Sequence, residues 1–302
     1  MAKGKRNPSK INRNDLVQGY GFMLPALLTI SVFILLPILY AVVLSFQKVN
    51  LLAGVSEFVG FDNFTRAFND YRTGIALSNT ALYVAIVVPV QTLLAMVLAS
   101  LLNAKIRWTN TFRVLLFLPT LTSSTVLAMI FMFMYNSQNG IINEFLSLVG
   151  LPTYNWLGDP AVALFSIMIM NIWLTAPFYM IIYLAGLKDV PESLYEAAEL
   201  DGASAFQKFR YITVPMLRPI TSFVLIMGII GTFQLFDQSY IFSGGTGGPD
   251  NSTLTIVLLI YQYAFQTYDQ IGFAAAVAFL LAVIILIATL IQRKLQKDEQ
   301  VY

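Results

Sequence analysis

The chain has 302 residues, 57% of them hydrophobic and 11% charged, where a soluble domain carries about 25% charged residues. Its formal charge of +2 is too small for a nucleic-acid-binding surface. With no cysteine and no histidine, it excludes a thiolate nucleophile, a histidine base, a zinc or haem site and a disulfide.

The charges leave uncharged windows at 16–47, 73–104, 114–143, 160–187, 219–236, 251–268 and 270–292. A bilayer-spanning helix needs roughly 20 apolar residues, so these windows point to an integral membrane protein. A basic tail (1–19) holds Lys3, Lys5, Arg6, Lys10 and Arg13. The apolar run after it, Tyr20 to Phe46, exceeds the roughly 7–15 residues of a cleavable signal core and reads as a retained signal-anchor helix. The next expected spans are Ile75–Leu102, Val114–Tyr135, Ala161–Leu187, Pro219–Phe242 and Gly272–Ile291. The window 251–268 carries Thr255, Tyr261, Gln262, Tyr263, Gln266 and Tyr268. That polarity suits the headgroup region, so 254–267 is expected as an outer interfacial helix.

Cation placement favours this count. With six spans and the N-terminus inside, 15 of the 18 Lys and Arg residues fall on cytoplasmic segments, among them Lys105, Arg107 and Arg113, and only Lys48, Arg66 and Arg72 lie outside. Such a bias sets orientation. The fold class expected is therefore an all-α membrane protein: a permease-like domain over 20–291 and cytoplasmic tails at 1–19 and 292–302. Pro25, Pro37, Pro89, Pro119 and Pro177 fall within spans, where membrane helices tolerate them as kinks or hinges. Ala274, Ala278 and Ala282 form a small-residue seam for a close helix contact, in this chain or in a second subunit.

Ionisable residues are nearly missing from the spans, Asp237 near the outer end of the fifth being the exception, which disfavours an ion-driven carrier. The Ser243-Gly-Gly-Thr-Gly-Gly-Pro249 run lacks the Gly-Lys-Ser/Thr ending of a phosphate loop and reads as a flexible outer loop. The longest cytoplasmic loop, 188–215, carries more. Pro191 fits a first helical position, Asp189 and Glu192 suit the positive end of the dipole, and Gly202 suits a left-handed stop. Ser204-Ala-Phe-Gln207 has capping-box form and opens a second short helix through about Tyr211. Two short helices joined at a glycine make a protruding knob; the alternative is a solvated amphipathic loop.

Glu196-Ala-Ala-x-x-Asp-Gly202, followed by Ile212-Thr-Val-Pro215, resembles the EAA coupling loop of ABC importer permeases. Leu184-Ala-Gly-Leu187, Pro191, Tyr195-Glu-Ala-Ala198, Asp201-Gly-Ala203, Phe209 and Pro215 resemble its carbohydrate-importer branch, in the MalF-type rather than the MalG-type form. Gly60-Phe-Asp-Asn-Phe64, Asn79-Thr80, Phe112-Arg113, Phe117-Leu-Pro119, Phe236-Asp237, Gly247-Gly-Pro249 and Gly272-Phe-Ala-Ala275 extend the likeness across about 20–291. The stretch from Phe236 to Pro249 looks slightly long for the pattern.

The resemblance implies a non-catalytic subunit in a bacterial or archaeal inner membrane, both termini cytoplasmic. Implied partners are a second, MalG-type permease, two ATPase subunits that hold ATP and Mg²⁺, and an extracytoplasmic solute-binding protein; no cofactor is expected on this chain. It assigns coupling to Glu196, Ala197, Ala198 and Gly202, with Leu194 and Phe209 as packing contacts.

Without Lys or Arg in the spans, amide, hydroxyl and aromatic groups remain, which suit a neutral sugar or polyol. Asn171 lies about 15 Å down the fourth span and Gln234 about 24 Å up the fifth; Thr175 and Tyr179 follow Asn171 along one face. These four are the candidate pathway residues, with interhelical hydrogen bonding as their alternative role. A glycerol phosphate-type solute, with its cation supplied by the partner, stays open, as do a channel and a non-conducting scaffold or regulatory subunit.

Overall fold

A computed structural model describes residues 13–50, 54–104 and 108–297. Of the cations used above to set orientation, Lys3, Lys5, Arg6, Lys10, Lys105 and Arg107 lie outside the described residues. The first span is helix α1 (Arg13–Ile30), a π turn (Ser31–Leu35) and α2 (Leu36–Ser45). Pro37 in the first turn of α2 has no N–H for the carbonyl four residues back, and that carbonyl belongs to Phe33 in the π turn. An antiparallel hairpin, β1 (Gln47–Asn50) and β2 (Val55–Phe58), follows; the sequence reading had not foreseen these strands in a mostly helical chain. Then come α3 (Asp62–Asn69) and α4 (Tyr71–Asn103), whose start is fixed by Asp70, accepting from the Thr73 N–H and hydroxyl at 2.8 Å each.

The third span is not the single helix expected over Val114–Tyr135. It consists of α5 (Thr109–Phe117), a 3₁₀ turn (Leu118–Leu121) and α6 (Ser124–Met134), and its two halves bend by 98°. Pro119 sits in that break. Pro89 and Pro177, by contrast, lie inside continuous helices. After α7 (Ile141–Leu148), α8 (Pro160–Leu187) starts with Pro160 in its first turn and Asp159 accepting from the Ala161 N–H.

Beyond α8 stand α9 (Glu192–Leu200), α10 (Ala205–Lys208), a π turn (Phe209–Thr213) and α11 (Val214–Met216). The fifth span is α12 (Arg218–Phe233) and, after a break, α13 (Asp237–Ser243). Next is α14 (Ile256–Tyr261) with a π turn (Gln262–Gln266), and last α15 (Ile271–Lys297). Five helical stretches are long and apolar enough to cross a membrane, six with the bent pair, which matches the expected count.

The helix expected at the interface is packed against the bundle. Leu258 and Leu259 are fully buried beside Phe273 and Val277 of α15. Its polar residues, which suggested the headgroup region, find partners within the protein: the Thr80 hydroxyl accepts the Ile256 N–H at 3.0 Å, and the Gln262 amide donates to the Gly245 carbonyl at 2.7 Å. The glycine run before it is likewise built in. Gly248 has φ +80°, and a Cβ there would lie 2.3 Å from the Thr253 hydroxyl oxygen, so the run packs as a turn where a free loop had been expected.

Helices α4 and α8 pack along their length. Met168, Met170 and Met180, all but inaccessible, fill the seam together with Tyr83 and Tyr183. Gly272 lets α15 approach the end of the first span, where a Cβ would come 1.8 Å from the Gln47 carbonyl. Along the alanine seam of α15, Ala274 is buried and Ala282 exposed. The first span is different again: within its apolar window no residue is buried.

Candidate functional site: a knob and a cavity

The knob is built by local rules. Pro191 is the residue before the first turn of α9, one place earlier than expected. At the other end the Ala203 N–H bonds the Ala198 carbonyl at 2.8 Å and the Gly202 N–H bonds that of Glu199 at 3.0 Å, the pair of bonds that defines a Schellman stop. Gly202 is left-handed at φ +75°, and nothing lies within 4 Å of the position a Cβ would take. The glycine is there for backbone freedom and not for space. Ser204 and Gln207 form the expected capping box. The second helix then continues past Tyr211, through the π turn and Pro215, to Met216.

Two side-chain contacts tie the helices together. The Lys208 Nζ meets Glu199 Oε1 at 2.6 Å, and the Tyr195 and Thr213 hydroxyls lie 2.9 Å apart. The hydrogen bond from Lys208, then its charge, holds the Glu199 carboxyl below the usual range. Among the sequence candidates, Glu196 and Ala197 are exposed, Ala198 is half-buried and Leu194 is 41% exposed. Phe209 turns inward onto the cluster of Leu187, Leu217 and Tyr183. Glu196, Ala197 and Leu194 thus form an outward face, and Phe209 anchors the knob to the bundle. Leu200 and Phe206 add exposed apolar surface at the tip.

Away from the knob, a cavity of about 230 Å³ is lined by Thr120, Thr122 and Ser124 at the break of the third span and by Thr175 and Tyr179 on α8. Non-helical backbone at membrane depth is tolerated where it lines a polar cavity or is buried in protein. Thr175 and Tyr179 are therefore brought together as expected. Asn171 lies behind them, 8% exposed, its carbonyl accepting from the Thr175 hydroxyl at 2.8 Å while its Oδ1 has no partner. Gln234 is exposed at the break between α12 and α13 and is not among the residues that line the cavity.

Sequence reasoning missed Thr120, Thr122 and Ser124. The run Pro119-Thr-Leu-Thr-Ser-Ser124 was the available sign, a proline followed by hydroxyls inside an apolar window. It also missed Gln238, whose amide donates to the Ser124 hydroxyl at 2.9 Å, and Gln91 on α4, 2.6 Å from the Thr175 hydroxyl.

The chain is similar to known proteins in sequence and in fold. The family described as binding-protein-dependent transport system inner membrane component matches residues 91–300. The lactose transport system permease protein LacF of Rhizobium radiobacter is 37% identical, over 94% of this chain and 95% of its own. The trehalose/maltose transport system permease protein MalF of Thermococcus litoralis is 32% identical, over 95% and 96%. In structure, a bacterial alginate ABC transporter in complex with an alginate pentasaccharide-bound periplasmic protein contains a chain of the same fold, with TM-score 0.81 and 22% identity over 98% of this chain and 99% of that one.

Proposed function

The chain belongs to the binding-protein-dependent transport inner membrane components, and from that membership we propose that it forms half of the translocation path of an ABC importer for a neutral sugar or related polyol. The relatives named for lactose and for trehalose and maltose support the sugar class. The observation that carries the solute reading is the cavity at the broken span, where five hydroxyl-bearing side chains stand beside Leu174 and Phe178 and no charged group is present. Hydroxyl and aromatic groups there suit a neutral polyhydroxylated solute, since each hydroxyl can donate or accept. Thr175 and Tyr179 line the path directly in this reading; Asn171 supports Thr175 from behind, and Gln234 belongs to another stretch of it.

The knob is the motor contact. Glu196, Ala197, Ala198 and Leu194 meet a groove on the ATPase, Gly202 sets the turn that shapes them, and Phe209 passes the movement to the bundle. A lever of this kind must be stiff at the knob and bistable in the bundle; the Schellman stop, the capping box and the two tethers supply the stiffness. ATP and Mg²⁺ belong to the two partner ATPases. A second, MalG-type permease completes the path, and an extracytoplasmic binding protein delivers the solute to the hairpin end. Both termini lie on the cytoplasmic side with the knob, and the domain limits are those of the charge pattern, 20–291 with the coupling loop at 188–215.

Reconstitution in proteoliposomes tests this. The chain with its partner permease, ATPases and binding protein should take up lactose only when ATP is supplied. Lactose uptake by the chain alone, or without ATP, would sink the proposal; failure with lactose but uptake of another neutral saccharide would correct only the solute.

A further inference from the structure

We propose that Gln91, a residue that does not touch the cavity, is a positioning residue for the solute path: it holds the Thr175 hydroxyl so that Thr175 meets the solute as a hydrogen-bond acceptor. The inference rests on the reading of the cavity at the broken third span as that path.

Gln91 is 1% exposed, a polar side chain that with Thr92 interrupts an apolar stretch of α4. Burying an amide in a bilayer-spanning bundle costs several kcal/mol unless it is bonded. Its Oε1 accepts from the Thr175 hydroxyl at 2.6 Å, while its Nε2 has no partner. That hydroxyl also lies 2.8 Å from the Asn171 carbonyl. A hydroxyl has a single proton and two lone pairs, and here the proton is shared between two acceptors as a three-centre bond. The 2.6 Å separation fits O–H···O and is short for N–H···O, so Gln91 and Asn171 together take the Thr175 proton.

With its proton committed, the hydroxyl offers only lone pairs, and Thr175 lines the cavity. It can therefore accept from a solute O–H but cannot donate to one. Room for the amide comes from Gly228 on α12, where a Cβ would stand 2.8 Å from the Gln91 Nε2. Gly228→Ala thus pushes on the far end of Gln91 without changing Gln91 or Thr175.

The chain has no cysteine, so a single introduced thiol can be followed by mass on this subunit within the assembled importer. The probe is a small cationic methanethiosulfonate. Thr175→Cys puts a thiol where the hydroxyl was, and a thiol that donates to the Gln91 Oε1 is held in its protonated form and away from the reacting thiolate. Adding Gln91→Met or Gly228→Ala should speed modification about fivefold, the effect of one hydrogen bond. Thr122→Cys, in the same cavity and out of reach of Gln91, should keep its rate. Unchanged or slower modification at position 175 overturns the inference, as does a thiol reactive at 122 and inert at 175 both with Gln91 present and with it replaced. Inert thiols at both positions mean a dry cavity, and the path reading falls together with the inference.

Lactose uptake supplies a second measurement. Thr175→Val and Gln91→Met should each slow it, and the double variant should be no slower than the slower single one. Effects that multiply would show that Gln91 acts independently of Thr175 and would overturn the inference.

Discussion

Residues 192–216 make the knob from one contiguous stretch, joined by bonds between near neighbours (Ala203 to Ala198, Ser204 to Gln207, Glu199 to Lys208) and by one longer tie, Tyr195 to Thr213. The cavity takes Thr120, Thr122 and Ser124 from the broken third span and Thr175 and Tyr179 from α8, and it relies on Gln91 from α4 and Gln238 from α13 to hold its walls. The knob's shape is thus fixed by backbone geometry, and the cavity's by polar pairs across helices. Damage to the first should act through single turns, whereas damage to the second should spread through coupled partners.

The sharpest test of that contrast is Gly202→Val. A β-branched residue at φ +75° costs about 1–2 kcal/mol of backbone strain, with no neighbour to clash with. The turn should shift, and lactose uptake should fall by more than tenfold while ATP hydrolysis by the partner subunits continues. Normal uptake would separate the knob from coupling.

Next in size is Thr175→Val in the cavity. It should lower the uptake rate about five- to tenfold through the loss of one buried hydrogen-bonding group, with the ATPase still bound in pull-downs. Loss of ATPase binding instead would show that the two regions are not separate. Smaller again is Tyr195→Phe, which removes the tether to Thr213 at 2.9 Å and should cost about 1 kcal/mol in thermal unfolding.

Smallest is Lys208→Ala. Glu199 is held below its usual value by Lys208, so any stabilisation is present above the ordinary carboxylate pKa of about 4.3 and fades as the pH falls through the folded value. Between pH 6 and 9 the melting temperatures of variant and parent should differ by little and by the same amount throughout, since an exposed pair is worth little. A difference that grew across this range would show a second titrating partner.

Legibility in the sequence followed the same division. Gly202, the Ser204–Gln207 box and the spans could be read because their causes lie within a few residues or in long apolar runs. The 98° bend could not: Pro119 resembles Pro89 and Pro177 in its surroundings, yet those two stay in continuous helices held by the α4–α8 seam. Burial of Leu258 and Leu259 was hidden for a similar reason. The glutamines and tyrosines that pointed to a headgroup position are served by Gly245, Arg72 and Phe273 from other parts of the chain, and such pairings have no local trace. Of the four pathway candidates, spacing along one helix brought Thr175 and Tyr179 to the same cavity, while Gln234 falls outside it, because α12 ends at Phe233.

The break at Leu118–Leu121 has a consequence for how such a permease changes over generations. Peptide groups exposed where a helix is interrupted are present whatever side chain occupies each position, so substitution cannot remove them. Thr120 and Thr122 are then free to be exchanged for residues of other size and hydrogen-bonding sense while the interruption itself persists. On the path reading proposed above, a lineage can retune which solute it accepts by small steps that leave the interruption in place.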